Sequence, residues 1–187
     1  MTADYNLTGE MVLGEIQSAL EAVDPVQVEQ TVKMILAADQ VFFVGVGRVL
    51  MSLQAIAKRF AHLGINAHVV GDVTEPAIKA GDLLIVGSGS GSSLFPVAIA
   101  EKAKNFGATV LHIGSNQNGK VKPFTDYMLR IPVQTKLNIQ DEIKSNQPMT
   151  SLFEQTLLII GDIIAEMIVE KKGLDLPSLW EFHANLE

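Results

Sequence analysis

The chain has 187 residues, 48% hydrophobic and 19% charged, enough to bury about 70% of its unfolded surface and too apolar to be disordered. A net charge of −7 without any cluster of Lys or Arg argues against a nucleic-acid partner. The absence of cysteine excludes thiol catalysis, disulfides and zinc–thiolate sites, and the apolar runs fall far short of the ~18 residues a membrane span needs.

The opening Met-Thr-Ala-Asp-Tyr-Asn has no basic region followed by an apolar core, so no signal peptide is expected and a cytoplasmic protein is. Residues 8–22 carry Met11, Val12, Ile16, Ala19 and Leu20 at helical spacing, with Thr8 as the expected N-cap. Asp24-Pro25 restarts a helix as N-cap and N1 proline, and Val28, Val32, Ile35 and Leu36 form its apolar face. Gln40–Val44 reads as a strand ending at Gly45-Val-Gly47-Arg48. A helix from about Val49 to Leu63 follows, closed by Gly64. Ala67–Val70 is the next expected strand, ending at Gly71-Asp72.

Asp82-Leu-Leu-Ile-Val-Gly-Ser-Gly-Ser-Gly-Ser-Ser93 is the most informative stretch. Leu83–Val86 has the pattern of a strand buried on both faces. It breaks into a run of only Gly and Ser, and the chain then resumes as a helix over 94–106 with Pro96 in its first turn. A strand, a loop without bulky side chains and a helix start present backbone N–H groups and the hydroxyls of Ser88, Ser90, Ser92 and Ser93 to an anion, best a phosphate. A serine-capped turn needs fewer glycines and serines than stand here. No Gly-Lys-Ser/Thr follows, and Ser92 and Leu50 stand where a third dinucleotide-loop glycine belongs, so neither a P-loop nor a dinucleotide site is expected.

Thr109–Ile113 and Tyr127–Ile131 complete five strands. Residues 134–148 are polar and irregular, a length that in a compact domain has a task. A long apolar helix runs from about Ser151 to Lys171, closed by Gly173, and Pro177 begins a short final helix. Alternating strands and helices predict an α/β three-layer αβα sandwich on a five-stranded parallel sheet, a single domain over 1–187. A helical N-terminal extension (1–38) and a C-terminal helix and tail (151–187) flank it. Ligands bind such sheets at the carboxyl ends of the strands, where Gly45–Arg48, Gly71-Asp72 and Ser88–Ser93 fall.

Two readings of Glu154 stay open. Ser151-x-x-Glu154 fits a capping box, and the same carboxylate fits a general base for proton abstraction beside a carbonyl. Of the four histidines, His68 and His112 lie within strands and His62 late in a helix, while His183 stands in a polar tail. No pair has metal-ligand spacing, so no metal is expected.

Several of these segments together resemble the sugar isomerase (SIS) domain family. The Gly/Ser loop resembles its phosphosugar loop. Lys58-Arg-Phe-Ala-His-Leu-Gly64, Val69-Val-Gly-Asp72, Ile131-Pro-Val-Gln-Thr-Lys136, Ser151-Leu-Phe-Glu-Gln155 and His183-Ala-Asn-Leu-Glu187 are similar to its 6-phospho-3-hexuloisomerase branch over nearly the whole chain. The resemblance implies a flavodoxin-like fold and an isomerase that interconverts 3-hexulose 6-phosphate and fructose 6-phosphate through an enediol, without metal or organic cofactor, in the ribulose monophosphate route. It implies phosphate binding by Gly47, Arg48, Ser88, Gly89, Ser90, Gly91, Ser92 and Ser93, and proton transfer by Glu154. It further implies a homotetramer with sites near subunit interfaces, where His183 or His62 assists. The family pattern Gly-x-Gly-Arg-Ser-Gly is here Gly45-Val-Gly47-Arg48-Val49-Leu50, so Val49 replaces a substrate-contacting Ser, and Phe182 stands where Arg is usual. That departure keeps a rival open: a phosphosugar-binding sensor, or an enzyme for another sugar phosphate.

Overall fold

A computed structural model describes residues 4–175 and 177–186. Helices α1 (Tyr5–Glu21) and α2 (Pro25–Ala37) precede β1 (Val41–Val44), α3 (Gly47–His62), β2 (Ala67–Val69), β3 (Leu83–Gly87), α4 (Leu94–Asn105), β4 (Thr109–Gly114), β5 (Tyr127–Arg130) and α5 (Ser151–Lys172), with short 3₁₀ turns at Lys122–Phe124 and Pro177–Phe182. All strands are parallel in the order β2-β1-β3-β4-β5. Two helix boundaries differ from expectation for local reasons. Asp4, not Thr8, caps α1 by accepting from Leu7 N at 2.9 Å. Thr8 is already inside the helix, its hydroxyl donating to Asp4 O at 2.6 Å. Helix α3 starts two residues early because Gly47 adopts φ 59°, which lets the chain turn straight off β1.

The central strands are buried on both faces, and their alternation sorts them into two cores. Val41, Phe43, Leu83, Ile85, Leu111, Ile113 and Leu129 face α1, α2, α3 and α5. Phe42, Val44, Leu84, Val86 and Val110 face α4, joined by Val70 and Ile78 of the β2–β3 connection. Because α3 returns over the first face and α4 over the second, the ends of the adjacent strands β1 and β3 splay their connections apart. This is the switch point at which α/β sheets hold ligands, and Val44 pairs with Val86 there.

Helix α5 reaches that point by lying against α3. A Cβ on Gly161 would sit 2.3 Å from Ile56 Cγ1, so the backbones approach at a distance only glycine permits. Behind β3, His112 is 2% exposed. Its Nε2 donates to Ser88 O at 2.9 Å and so props the Gly/Ser loop from beneath. Burial, partly opposed by that bond, holds the imidazole below its ordinary range.

Two outcomes are expected. Gly161→Ala places a methyl inside Ile56, and despite the gain in helix propensity the overpacking costs about 1–3 kcal/mol, so calorimetry should show a melting temperature several degrees lower. For His112, the unfolded chain takes up a proton below about pH 6.5 that the folded chain resists. Its contribution to stability is complete above that value and is lost as the pH falls towards the lowered native pKa. Urea midpoints between pH 7 and pH 5 should therefore fall more steeply for the wild type than for His112→Gln.

Candidate active site

A cleft of about 240 Å³ opens at the β1/β3 switch point, lined among others by Arg48, Ser88, Gly89, Ser90, Ser93 and Glu154. Its floor is the Gly/Ser loop, and the loop's hydrogen bonds show how the backbone is turned. The carbonyls point away from the cleft. Ser88 O accepts from Gly91 N and His112 Nε2, and Gly89 O accepts from Ser115 N and Asn116 N at 3.0 Å. Ser90 O accepts from Asn116 Nδ2 at 3.0 Å, and Gly91 O from Val121 N at 2.9 Å. With the acceptors occupied at the back, the N–H groups of Gly89, Ser90 and Ser93 find no acceptor among the described residues. N–H groups without an acceptor among the described residues, at the start of α4, are disposed to seat an anion. Ser88 and Ser93 place their hydroxyls 3.4 Å apart on the same wall.

Gly91 and Ser92 do not line the cleft. Gly91 takes φ 61° to close the loop, and Ser92 Oγ accepts from Lys120 N at 3.2 Å. Both shape the loop from outside.

Glu154 projects from the first turn of α5 and is 7% exposed. The capping-box reading is not what the structure shows. Thr150 is the N-cap without a side-chain cap bond, and Ser151 Oγ donates to Pro148 O at 2.8 Å. The Glu154 carboxylate instead accepts from Thr150 Oγ1 at 2.8 Å and pairs with Arg48 Nε, so it turns into the cleft. Ser52 Oγ donates to Glu154 O at 3.0 Å and ties the two helix starts together. A carboxylate beside a cradle of N–H groups combines a proton acceptor with a seat for an anion, the pairing a phosphorylated carbonyl substrate requires.

The structure does not bring His62 and His183 to this cleft within one protomer. His62 is in the last turn of α3, 14 residues after Arg48, or about 21 Å along the helix. The His183 ring stacks on His62 with centroids 4.8 Å apart, and Trp180 lies 4.9 Å from His183. Among the described residues no three His, Asp or Glu side chains converge as a metal site. No helix among them is long and apolar enough to cross a membrane.

Sequence reasoning missed Thr135, Lys136 and Thr150, which also line the cleft. The first two sit in the polar 134–148 segment, whose signals were its length and the resemblance carried by Ile131-Pro-Val-Gln-Thr-Lys136, neither of which placed them at the cleft, and Thr150 lay hidden beside the apparent capping box. Val49 lines the cleft as well and packs towards Gly87, where an added Cβ would lie 3.0 Å from its Cγ1.

The family described as SIS domain matches residues 34–159. The 3-hexulose-6-phosphate isomerase of Bacillus subtilis is 36% identical over 176 residues, 94% of this chain and 95% of that protein. The protein of the same name from Mycobacterium gastri is 36% identical over 177 residues, 95% and 88% respectively. A crystal structure from Methanococcus jannaschii, from which a 3-hexulose-6-phosphate isomerase function was inferred, superposes with a TM-score of 0.82 at 28% identity, covering 95% of this chain and 98% of that one. With the parallel sheet, the two 36%-identical relatives and the match over residues 34–159 in agreement, the chain belongs to the SIS domain family.

Proposed function

We propose that this protein is a phosphosugar isomerase that interconverts 3-hexulose 6-phosphate and fructose 6-phosphate through an enediol. The observation that carries the reading is the Glu154 carboxylate turned into the cleft that the Gly/Ser loop floors. The relatives named 3-hexulose-6-phosphate isomerase supply the substrate class.

In this reading the N–H groups of Gly89, Ser90 and Ser93 and the nearby hydroxyls hold the phosphate, and Arg48 borders the sugar. Glu154 removes the proton from C2 of the 3-ketose. The electron pair of that C–H bond forms the C2=C3 double bond of the enediol, and the C3 carbonyl oxygen gains a proton. Return of the proton to C3 and loss of the O2 proton leave the C2 ketone. Thr150 and Arg48 fix the carboxylate, so the base is oriented before substrate arrives.

The transfer between O2 and O3 needs a second group. We assign it to His183 or His62 of a neighbouring protomer in a homotetramer, the arrangement in which the far end of α3 can meet another cleft. Apolar side chains support such association: Leu7, Leu13 and Val26 on α1 and α2 are each 67–68% exposed, and Leu94 and Phe95 stand exposed beside the cleft. The ribulose monophosphate route and a cytoplasmic location follow from this activity as part of the proposal.

One observation favours a second reading. Val49 presents methyl groups to the cleft where a hydroxyl would donate to substrate, and a lost hydrogen bond to a charged phosphate weakens binding by roughly tenfold to a hundredfold. A phosphosugar sensor, or an isomerase of another sugar phosphate, would tolerate that loss. Coupled measurement of fructose 6-phosphate formation by the purified protein separates the two, since a sensor binds without turnover.

If the assignment holds, Glu154→Gln keeps the Thr150 bond and the fold but loses the base, and kcat should fall by ~10²–10⁴ with KM little changed. Ser90→Ala removes a contact made equally in ground and transition states and should raise KM while leaving kcat nearly intact. Full activity in a stable Glu154→Gln protein would move the search for the base elsewhere. Sedimentation at micromolar concentration should give a tetramer, and a monomer that retains turnover would remove the need for a neighbour's histidine.

A further inference from the structure

The segment between β5 and α5 is irregular yet held by a buried carboxylate. Glu142 is 5% exposed. It accepts four hydrogen bonds: from Ser115 Oγ at 2.9 Å, Thr135 Oγ1 at 2.9 Å, Thr135 N at 3.2 Å and Ile139 N at 2.9 Å. No cation pairs with it among the described residues. A buried carboxylate compensated only by polar N–H and O–H donors is costly unless every oxygen is satisfied, so its donors are held in fixed positions.

Those donors connect two walls of the cleft. Ser115, which is fully buried, bonds Glu142 through its hydroxyl and Gly89 O through its N–H at 3.0 Å. Thr135 packs over the same loop, its Cγ2 3.1 Å from where a Cβ on Gly89 would stand. The next residue, Lys136, lines the cleft with an exposed side chain.

Charge then singles Lys136 out. The described residues lining the cleft include two cations, Arg48 and Lys136. Arg48 pairs with Glu154, and Lys136 makes no ion pair among the described residues. The loop's N–H groups and hydroxyls bring no net charge to a phosphate dianion. We propose that Lys136 supplies the cation that neutralises the phosphate of the bound sugar phosphate, and that Glu142 is the positioning residue that clasps the Thr135–Lys136 strap against Gly89. The inference rests on the sugar-phosphate reading of the cleft but names residues that reading does not require.

The test is titration calorimetry with two probes, fructose 6-phosphate and inorganic phosphate, alongside turnover. Lys136→Met should weaken both probes by a similar factor, roughly tenfold to a hundredfold. It should also flatten the dependence of affinity on salt and spare kcat, and Lys136→Arg should restore most of the affinity. Glu142→Gln faces Thr135 N or Ile139 N with an amide donor and should weaken both probes in the same way. In the double variant the two losses should not add, because Glu142 acts through Lys136. Ser115→Ala, which removes one of the four bonds and keeps the others, gives the same comparison if Glu142→Gln does not fold. Unchanged affinity in Lys136→Met would overturn the inference and leave the isomerase reading standing, and fully additive losses would overturn the positioning role of Glu142. Loss of affinity in Lys136→Met by a wild type that binds but never isomerises would sink the isomerase reading alone. Binding of neither probe by the wild type would end both.

Discussion

Two helices that run side by side in the same direction govern the rest of the molecule. Arg48 meets Glu154 at their first turns, and about two turns on, Ile56 meets Gly161. The spacing is nearly equal, eight residues on α3 and seven on α5. The close backbone approach at Gly161 thus sets the level at which the two N-termini arrive. Since α3 leaves β1 at the switch point, this one contact carries Glu154, more than a hundred residues later in the chain, to the cleft that the Gly/Ser loop lines.

The cradle is built by opposition. The carbonyls of Ser88, Gly89, Ser90 and Gly91 are each taken by a donor behind them, from His112, Ser115, Asn116, Val121 or the loop itself. The N–H groups of Gly89, Ser90 and Ser93 are left over, and these three residues line the cleft. The loop's polarity therefore depends on β4 and the segment that follows it as much as on its own glycines. His112 illustrates the cost: an imidazole buried under the loop with its protonation suppressed is a pH-sensitive support placed directly beneath the site.

Carboxylates elsewhere organise what the sheet does not. Glu142 holds the strap from within, while Glu15 of α1 holds its far end, accepting from Asn146 N at 2.7 Å and Ser145 Oγ at 2.6 Å. Burial alone would raise the Glu15 pKa, but its several hydrogen bonds together outweigh that and hold the carboxyl below its usual range. The N-terminal helix is in this way fastened to the same segment that delivers Thr135 and Lys136.

The amino-acid sequence by itself determined the parallel sheet, the order of its elements and the place of the Gly/Ser loop between β3 and α4. These rest on patterns local in the chain: apolar runs of strand length, a Pro at a helix start, glycines and serines in succession. The same locality misled at Glu154, where Ser151-x-x-Glu154 satisfies the spacing of a capping box. A carboxylate chooses among all donors within reach, and this one takes Thr150 Oγ1 and Arg48 Nε. Tertiary structure alone decided that Lys136 borders the cleft and that His62 and His183 stack at the opposite end of α3. Each depends on contacts between residues far apart in the chain, fixed by close helix packing and buried hydrogen bonds, and no window of neighbouring residues encodes them.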